Sequence, residues 1–231
     1  MTTRKDFLVA GSLAAAVPGV TLADARAATH PKAPKLDFDL EGFNALLDGA
    51  QSHKNLFTAV QLEGGEVLSA MRNTLNSYRD VGVEWSDVLP VAVLYHGFSI
   101  LLAFDDLIWN RYVIPFSAKL KHGNGAAQIA SVRKGQSTGN PCLREQGGEW
   151  DTSIRSLVAD AGTRFFVCNN AALGTASMMA KALGKPFDDV YNDLSHHLVQ
   201  NAMLVPAGVW AIHAIQEQRF TLLQTSLATN A

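Results

Sequence analysis

Apolar residues change their period along this chain, and the changes mark out elements. Short apolar runs lie at residues 55–62 (NLFTAVQL), 88–95 (VLPVAVLY), 164–168 (RFFVC), 199–205 and 220–224. Each has the length and apolar density of a strand. The second run is almost continuously apolar, which suits a strand buried on both faces, with Pro90 tolerated near its start. Between the runs the apolar spacing is three and four. Phe43, Leu46, Leu47 and Ala50 predict a short helix over 41–51. Val67, Ala70, Met71, Leu75 and Tyr78 predict another over 66–78. Further helices are predicted over 98–113, in one or two pieces, and over 151–161. Residues 171–183 form the next, capped by Asn169-Asn170 and stopped at Gly184-Lys185-Pro186. The last covers 206–218, with Pro206 in its first turn. Residues 187–197 are polar and read as helical or irregular. Strands alternating with helices predict an α/β domain: a five-stranded, mostly parallel sheet with helices on both faces.

Two stretches break the alternation. Residues of about 117–150 hold Gly123, Gly125, Gly135, Gly139, Gly147 and Gly148 with little apolar periodicity, and read as an insertion or lid. At the N-terminus, Arg4 and Lys5 precede an Ala-, Gly- and Val-rich stretch over 7–23, then Ala25-Arg26-Ala27, a small-x-small cleavage signal. Residues 1–28 are therefore expected to be a cleaved signal peptide. Thr3-Arg4-Lys5-Asp6-Phe7-Leu8 resembles the twin-arginine export motif and departs from it at Lys5. The expected organisation is a leader with a short helix over 29–52, the α/β domain over 53–226, and a tail over 227–231. An exported, periplasmic protein with no membrane span after signal cleavage follows.

Composition narrows the partners. Hydrophobic residues make up 48% and charged residues 17%, enough apolar surface for a folded core. The net charge is −2, and removing Arg4, Lys5 and Arg26 with Asp6 and Asp24 leaves −3. That gives no electrostatic footprint for nucleic acid.

Ligand sites in parallel sheets lie outside the carboxyl ends of the strands. Those ends carry Glu63-Gly64-Gly65, Tyr95-His96-Gly97, Cys168-Asn169-Asn170 and Val205-Pro206-Ala207-Gly208. Cys168 falls where a strand gives way to a helix N-terminus, whose unpaired N–H groups and dipole favour a thiolate. A buried, inert cysteine fits the same pattern. Cys142, in the insertion, is a resolving thiol, a disulfide partner of Cys168, or a free thiol out of reach. His96 at the same sheet edge reads as an assisting group or as a loop cap. Gly97, Asn169 and Asn170 border the same edge and are candidate ligand contacts. Asp105-Asp106 lies in an apolar segment and needs partners. Asp188, Asp189, Asp193, His196 and His197 form a polar cluster in which Asp193 and His197 could share a helix face, but no second ligand pair completes a metal site. No phosphate loop, GxSxG elbow, HExxH or CxxC is present, and no cofactor is expected.

The runs LPVAVLYHG (89–97), RFFVCNNA (164–171) and LVPAGVWAIHAIQEQRFTLLQ (204–224) resemble the DsrE/DsrF-like family, in order, over roughly 53–226. The resemblance implies a flavodoxin-like three-layer fold, trimers or hexamers, and sulfur relay through a cysteine persulfide. On it Cys168 matches the cysteine after the third strand and His96 the strand-end HG. Cys142 and the insertion have no counterpart. The well-understood carriers of that family are cytoplasmic, whereas this chain reads as exported. The reading that follows is an exported, thiol-based sulfur carrier or transferase using Cys168, with a sulfur donor or acceptor protein as partner. The alternative is a non-catalytic, oligomeric protein that holds a small ligand or metal under the insertion. A third reading makes the apolar segment 98–116 the interface of a structural subunit.

Overall fold

Strand β1 (His53–Ala59) opens the sheet, and the chain then steps through β2 (Val88–Leu94), β3 (Arg164–Cys168) and β4 (Ala202–Val205) in one direction before returning to β5 (Thr221–Gln224). This is a computed structural model that describes residues 35–120 and 124–225. The predicted signal peptide, the tail and residues 29–34 of the leader lie outside the described residues. Contacts divide the chain into Met1–Lys35 and Leu36–Ala231, and the fold below is that of the second unit.

The sheet has five strands in the order β4-β3-β2-β1-β5, all pairs parallel. Helices lie on both faces, as the alternation predicts. The strand order itself differs from that of flavodoxin. There the first strand is flanked by the second and third; here it is flanked by the second and fifth.

Handedness assigns the helices to faces. Crossovers between parallel strands are right-handed, so every connection stepping the same way lies on the same side. The helices from β1 to β4 are α2 (Glu66–Asp80), α3 (Asp106–Ile108), α4 (Ile114–Lys119), α5 (Asn124–Arg133), α6 (Ile154–Ala161), α7 (Asn169–Leu183) and α8 (Phe187–His196). All contribute to one core with Phe57, Ala59, Ala92, Leu94, Phe165, Val167 and Leu204 of the sheet. The return to β5 passes through α9 (Gly208–Glu217), which lies on the other face beside α1 (Leu40–Leu47). That second core takes the alternate strand residues Leu56, Leu89, Val91, Val93, Phe166 and Val205. β2 is buried at all seven positions because it contributes to both cores.

The boundaries differ from the periodicity in places. β1 begins at His53 and ends at Ala59, because Leu62 belongs to the turn into α2. The segment after β2 is a 3₁₀ stretch (Gly97–Ala103), then α3, a π turn (Trp109–Val113) and α4. Pro115 at the start of α4 has no N–H to donate to the preceding turn, and the widened π turn sits just before it. Residues 187–196 form a regular helix. The insertion is not structureless: it contains α5 and a 3₁₀ turn at Pro141–Leu143.

Candidate functional site at the carboxyl ends of the strands

Cys168 is the last residue of β3 and the N-cap of α7, with φ −64° and ψ 116°. The Cys168 side chain makes no hydrogen bond to the first amides of α7. The thiol is free and its residue only 5% exposed. Strand alternation puts Cys168 on the face of Phe166, the face covered by α1 and α9. Its register partner in β4 is Val205. On the other side Leu94 pairs with Val167, so the residue that continues abreast of Cys168 is Tyr95. Tyr95 packs on the same core. Gly208, at the start of α9, closes this corner: a Cβ there would overlap the Tyr95 side chain, so only glycine lets the helix approach so closely.

His96 is exposed and starts the 3₁₀ stretch. Its carbonyl accepts from the Ser99 hydroxyl at 2.7 Å and from the Ser99 N–H at 3.1 Å. Gly97 turns the chain with φ 48°. His96 and Asn169 each lie just past the paired ends of their strands, one at the start of the 3₁₀ stretch and the other at the start of α7. Asn169 is buried, and its Oδ1 accepts from the Tyr191 hydroxyl at 2.7 Å, tying α7 to α8. Burial raises the Tyr191 phenol above its ordinary range, and this hydrogen bond offsets part of the rise. Asn170 is exposed. His96, Gly97, Cys168, Asn169 and Asn170 thus share the ends of β2 and β3, with Tyr95, named at the strand end but not as a site residue, as the neighbour of Cys168.

Cys142 is elsewhere. It lies in the 3₁₀ turn whose cap is Asn140, half-buried against the larger core. Its Sγ faces Gly65, 3.7 Å from where a Cβ on that glycine would stand. Burial pushes its thiol up to about 12, with Lys134 pulling slightly the other way. Both cysteines are free; Cys142 packs on the larger core, while strand alternation assigns Cys168 to the other face.

The insertion covers the end of β1. The turn from β1 into α2 is unusual, with Glu63, Gly64 and Gly65 at φ 41°, 66° and 89°. Three successive left-handed residues are tolerated because two are glycine. On this turn sits α5: Gln128 Oε1 accepts from Leu62 N–H at 3.0 Å, and Ser131 Oγ from Gly64 N–H at 3.1 Å. The return of the insertion is anchored by Asn140. Its side-chain amide donates to the carbonyls of Leu102 and Phe104 at 2.8 and 2.7 Å, and its N–H donates to Asp106 at 2.7 Å.

The predicted polar cluster is dispersed among separate partners. Asp193 accepts from Arg111 and from the Tyr112 hydroxyl, each at 2.6 Å. Burial and that carboxylate together raise the Tyr112 phenol to about 12. His197 instead meets Asp105 at 3.0 Å, and Asp105 also caps α3. The two therefore do not form one site. Among the described residues no group of three or more His, Cys, Asp or Glu is placed to hold a metal ion.

Two further features carried no sequence signal that was read. Arg72 is fully buried in α2 and donates to Asp151 O, Ser156 Oγ and Asp160 Oδ2. A depression of about 450 Å³ lies above it, lined by Arg79, Trp85, Glu149, Asp151, Ser156 and Asp160 among others. Trp85 immediately precedes β2, so this depression is at the end of the sheet away from Cys168.

No protein-family model and no curated protein matches the sequence. Among solved structures, a protein of unknown function from Methanobacterium thermoautotrophicum is similar, at 15% identity and a TM-score of 0.37, over 75% of this chain and 99% of that one. No helix among the described residues is long and apolar enough to cross a membrane.

Proposed function

We propose that this protein is an exported, DsrE-like sulfur carrier whose Cys168 accepts sulfane sulfur as a persulfide. The observation that carries the reading is the position of that thiol. It is free, and it stands at the junction of β3 and α7 as the N-cap residue of that helix. The dipole and N–H groups of a helix start favour an anion there, and a thiolate or persulfide is such an anion. The step is an exchange. The Cys168 thiolate attacks the outer sulfur of a donor persulfide; the donor S–S bond breaks, a new S–S bond forms on Cys168, and the donor leaves as a thiolate. No net oxidation is required. His96, exposed one position beyond Tyr95, is the group proposed to meet the incoming donor. A trimer or hexamer, and a periplasmic partner protein as donor or acceptor, complete the proposal.

Intact-protein mass spectrometry after treatment with a small persulfide donor tests it. The wild-type chain and Cys142→Ala gain one sulfur atom that reductant removes, and Cys168→Ala gains none. Undiminished uptake by Cys168→Ala overturns the assignment.

A second reading, a non-catalytic protein that holds a small ligand beneath the insertion, is favoured by one observation. The insertion is fastened over the end of β1 rather than held away from the sheet. A ligand that co-purifies with Cys168→Ala as well as with wild type would select this reading.

A further inference from the structure

We propose that α5 is a hinged lid on the carboxyl edge of the sheet, and that its lifting controls access to the β1–α2 turn and to Cys142. The functional interest of this lid rests on reading the strand carboxyl ends as the working edge.

The insertion is held very unequally along its length. At its return Asn140 is completely buried, with both carbonyls it serves inside the core. Gly139 N–H donates to Asn110 Oδ1 at 2.8 Å, and Arg144 reaches Asp106. That end is bolted to the 3₁₀ stretch, to α3 and to the π turn. Just before it, residues 134–138 are all exposed, with Lys134 and Gly135 in the left-handed region at φ 43° and 84°. Exposed backbone around a left-handed glycine is where a chain turns at least cost to packing.

Helix α5 precedes this hinge and is held lightly. Ile129 and Val132 are its large buried side chains, and the Phe98 ring lies against its backbone at Gly125. Ala127, Ala130 and Ser131 are exposed. The polar fastening to the turn includes the hydrogen bonds from Leu62 N–H to Gln128 and from Gly64 N–H to Ser131. The Ser131 hydroxyl is oriented for this by donating to Gln128 O at 2.7 Å. The helix thereby bridges the loops that leave β1 and β2, through Leu62–Gly64 on one side and Phe98 on the other. Cys142 faces Gly65 of that same β1 turn, and α5 packs against the turn that carries Cys142. One helix therefore covers two backbone amides and packs against the turn that carries the thiol, fastened in part by side chains that can release them together.

Two measurements on the full chain report the opening without reference to sulfur transfer. These are hydrogen exchange at the amides of Leu62 and Gly64, and alkylation of Cys142 located by peptide mass. In the wild type both proceed through the same opening, far more readily than the amides of β2. The double variant Gln128→Ala/Ser131→Ala keeps α5 helical, since alanine favours a helix. It accelerates both readouts together by about tenfold, as expected for two lost hydrogen bonds. Gln128→Glu, which retains the acceptor, keeps the slow Cys142 rate relative to Gln128→Ala. Arg79→Ala, which releases Glu149 at the other end of the sheet, changes neither readout. The lid is overturned if Cys142 reacts only in step with global unfolding. It is equally overturned if the double variant frees the two amides and leaves the Cys142 rate unchanged. Neither result depends on sulfur uptake by Cys168, so failure of the lid and failure of the carrier reading are separate outcomes.

Discussion

The two faces of the sheet carry very different loads. Among the described residues, seven helices, α2 to α8, cover one face. Among the same residues α1 and α9 cover the other, where Leu40, Val209 and Trp210 are partly in solvent. The cause is strand order. Three successive steps in one direction send three right-handed connections to one side, and the single return sends one to the other. The thick face has room for elaboration, and it received the lid. Cys168 belongs by alternation to the thin face, beside Tyr95 and the start of α9. The protein thus separates its most heavily built layer from its best candidate for chemistry.

The sharpest way to break this comparison uses two neighbours in β3. Phe165 and Phe166 are both fully buried and point to opposite faces. Phe165→Ala leaves a cavity beneath a layer tied on every side, and is expected to cost about 5 kcal/mol. Phe166→Ala opens toward α1, where Phe43 packs at 5.0 Å between ring centroids, and a two-helix layer can settle. About 3 kcal/mol is expected there. Denaturant unfolding of both variants measures the difference, and equal losses would show that the thin layer is no more compliant than the thick one.

A smaller effect is expected from the anchor of the insertion. Asn140→Ala leaves the buried carbonyls of Leu102 and Phe104 without this donor, at a cost of about 2–3 kcal/mol. The same measurement checks it, and a loss below about 0.5 kcal/mol would mean that the return of the insertion is not bolted to the thick face.

The smallest effect comes from the loop ahead of α6 and depends on pH. Burial alone would push the Asp151 carboxyl up, but hydrogen bonds from the amides of Ser153, Gly147 and Gln146 outweigh it and hold it below the ordinary value. A carboxyl depressed in the folded state stabilises the fold above its unfolded value of about 3.9, and that contribution is lost as pH falls through the lower folded value. Asp151→Asn should therefore lower the unfolding midpoint at pH 7 and converge with wild type in strong acid. A gap that stays constant down to the acid limit would refute the linkage.

The architecture was legible because burial writes itself into period. The run at 88–95 reads as a strand buried on both faces, and β2 contributes to both cores. The apolar spacing of α2 and the stop at Gly184 after α7 are local signals that survive in the fold, whereas the expected Asn169-Asn170 cap does not: the helix already begins at Asn169, with Cys168 as its N-cap, and the Asn169 side chain is taken by Tyr191. α5 was illegible for the same reason: Ile129 and Val132 supply almost all of its buried stripe, and its fastening comes from Gln128 and Ser131, polar residues that look like surface. Around the candidate site, the strand ends gave His96, Gly97, Cys168, Asn169 and Asn170, and Tyr95 with them, but not that Tyr95 stands beside Cys168. A neighbour across a parallel pair is set by register, which no single strand encodes.

What this sequence determined by itself was the set of elements, their order and the strand ends at which chemistry would be sought, because periodicity and caps act over one or two turns. Only the tertiary structure decided that Cys142 packs on the core of the face opposite the one that alternation assigns to Cys168, that Asp193 and His197 go to separate partners, and that the Gly-rich insertion fastens onto the turn after β1. Those outcomes depend on strand order and crossover handedness, which join residues tens of positions apart, and no local pattern in the chain carries that information.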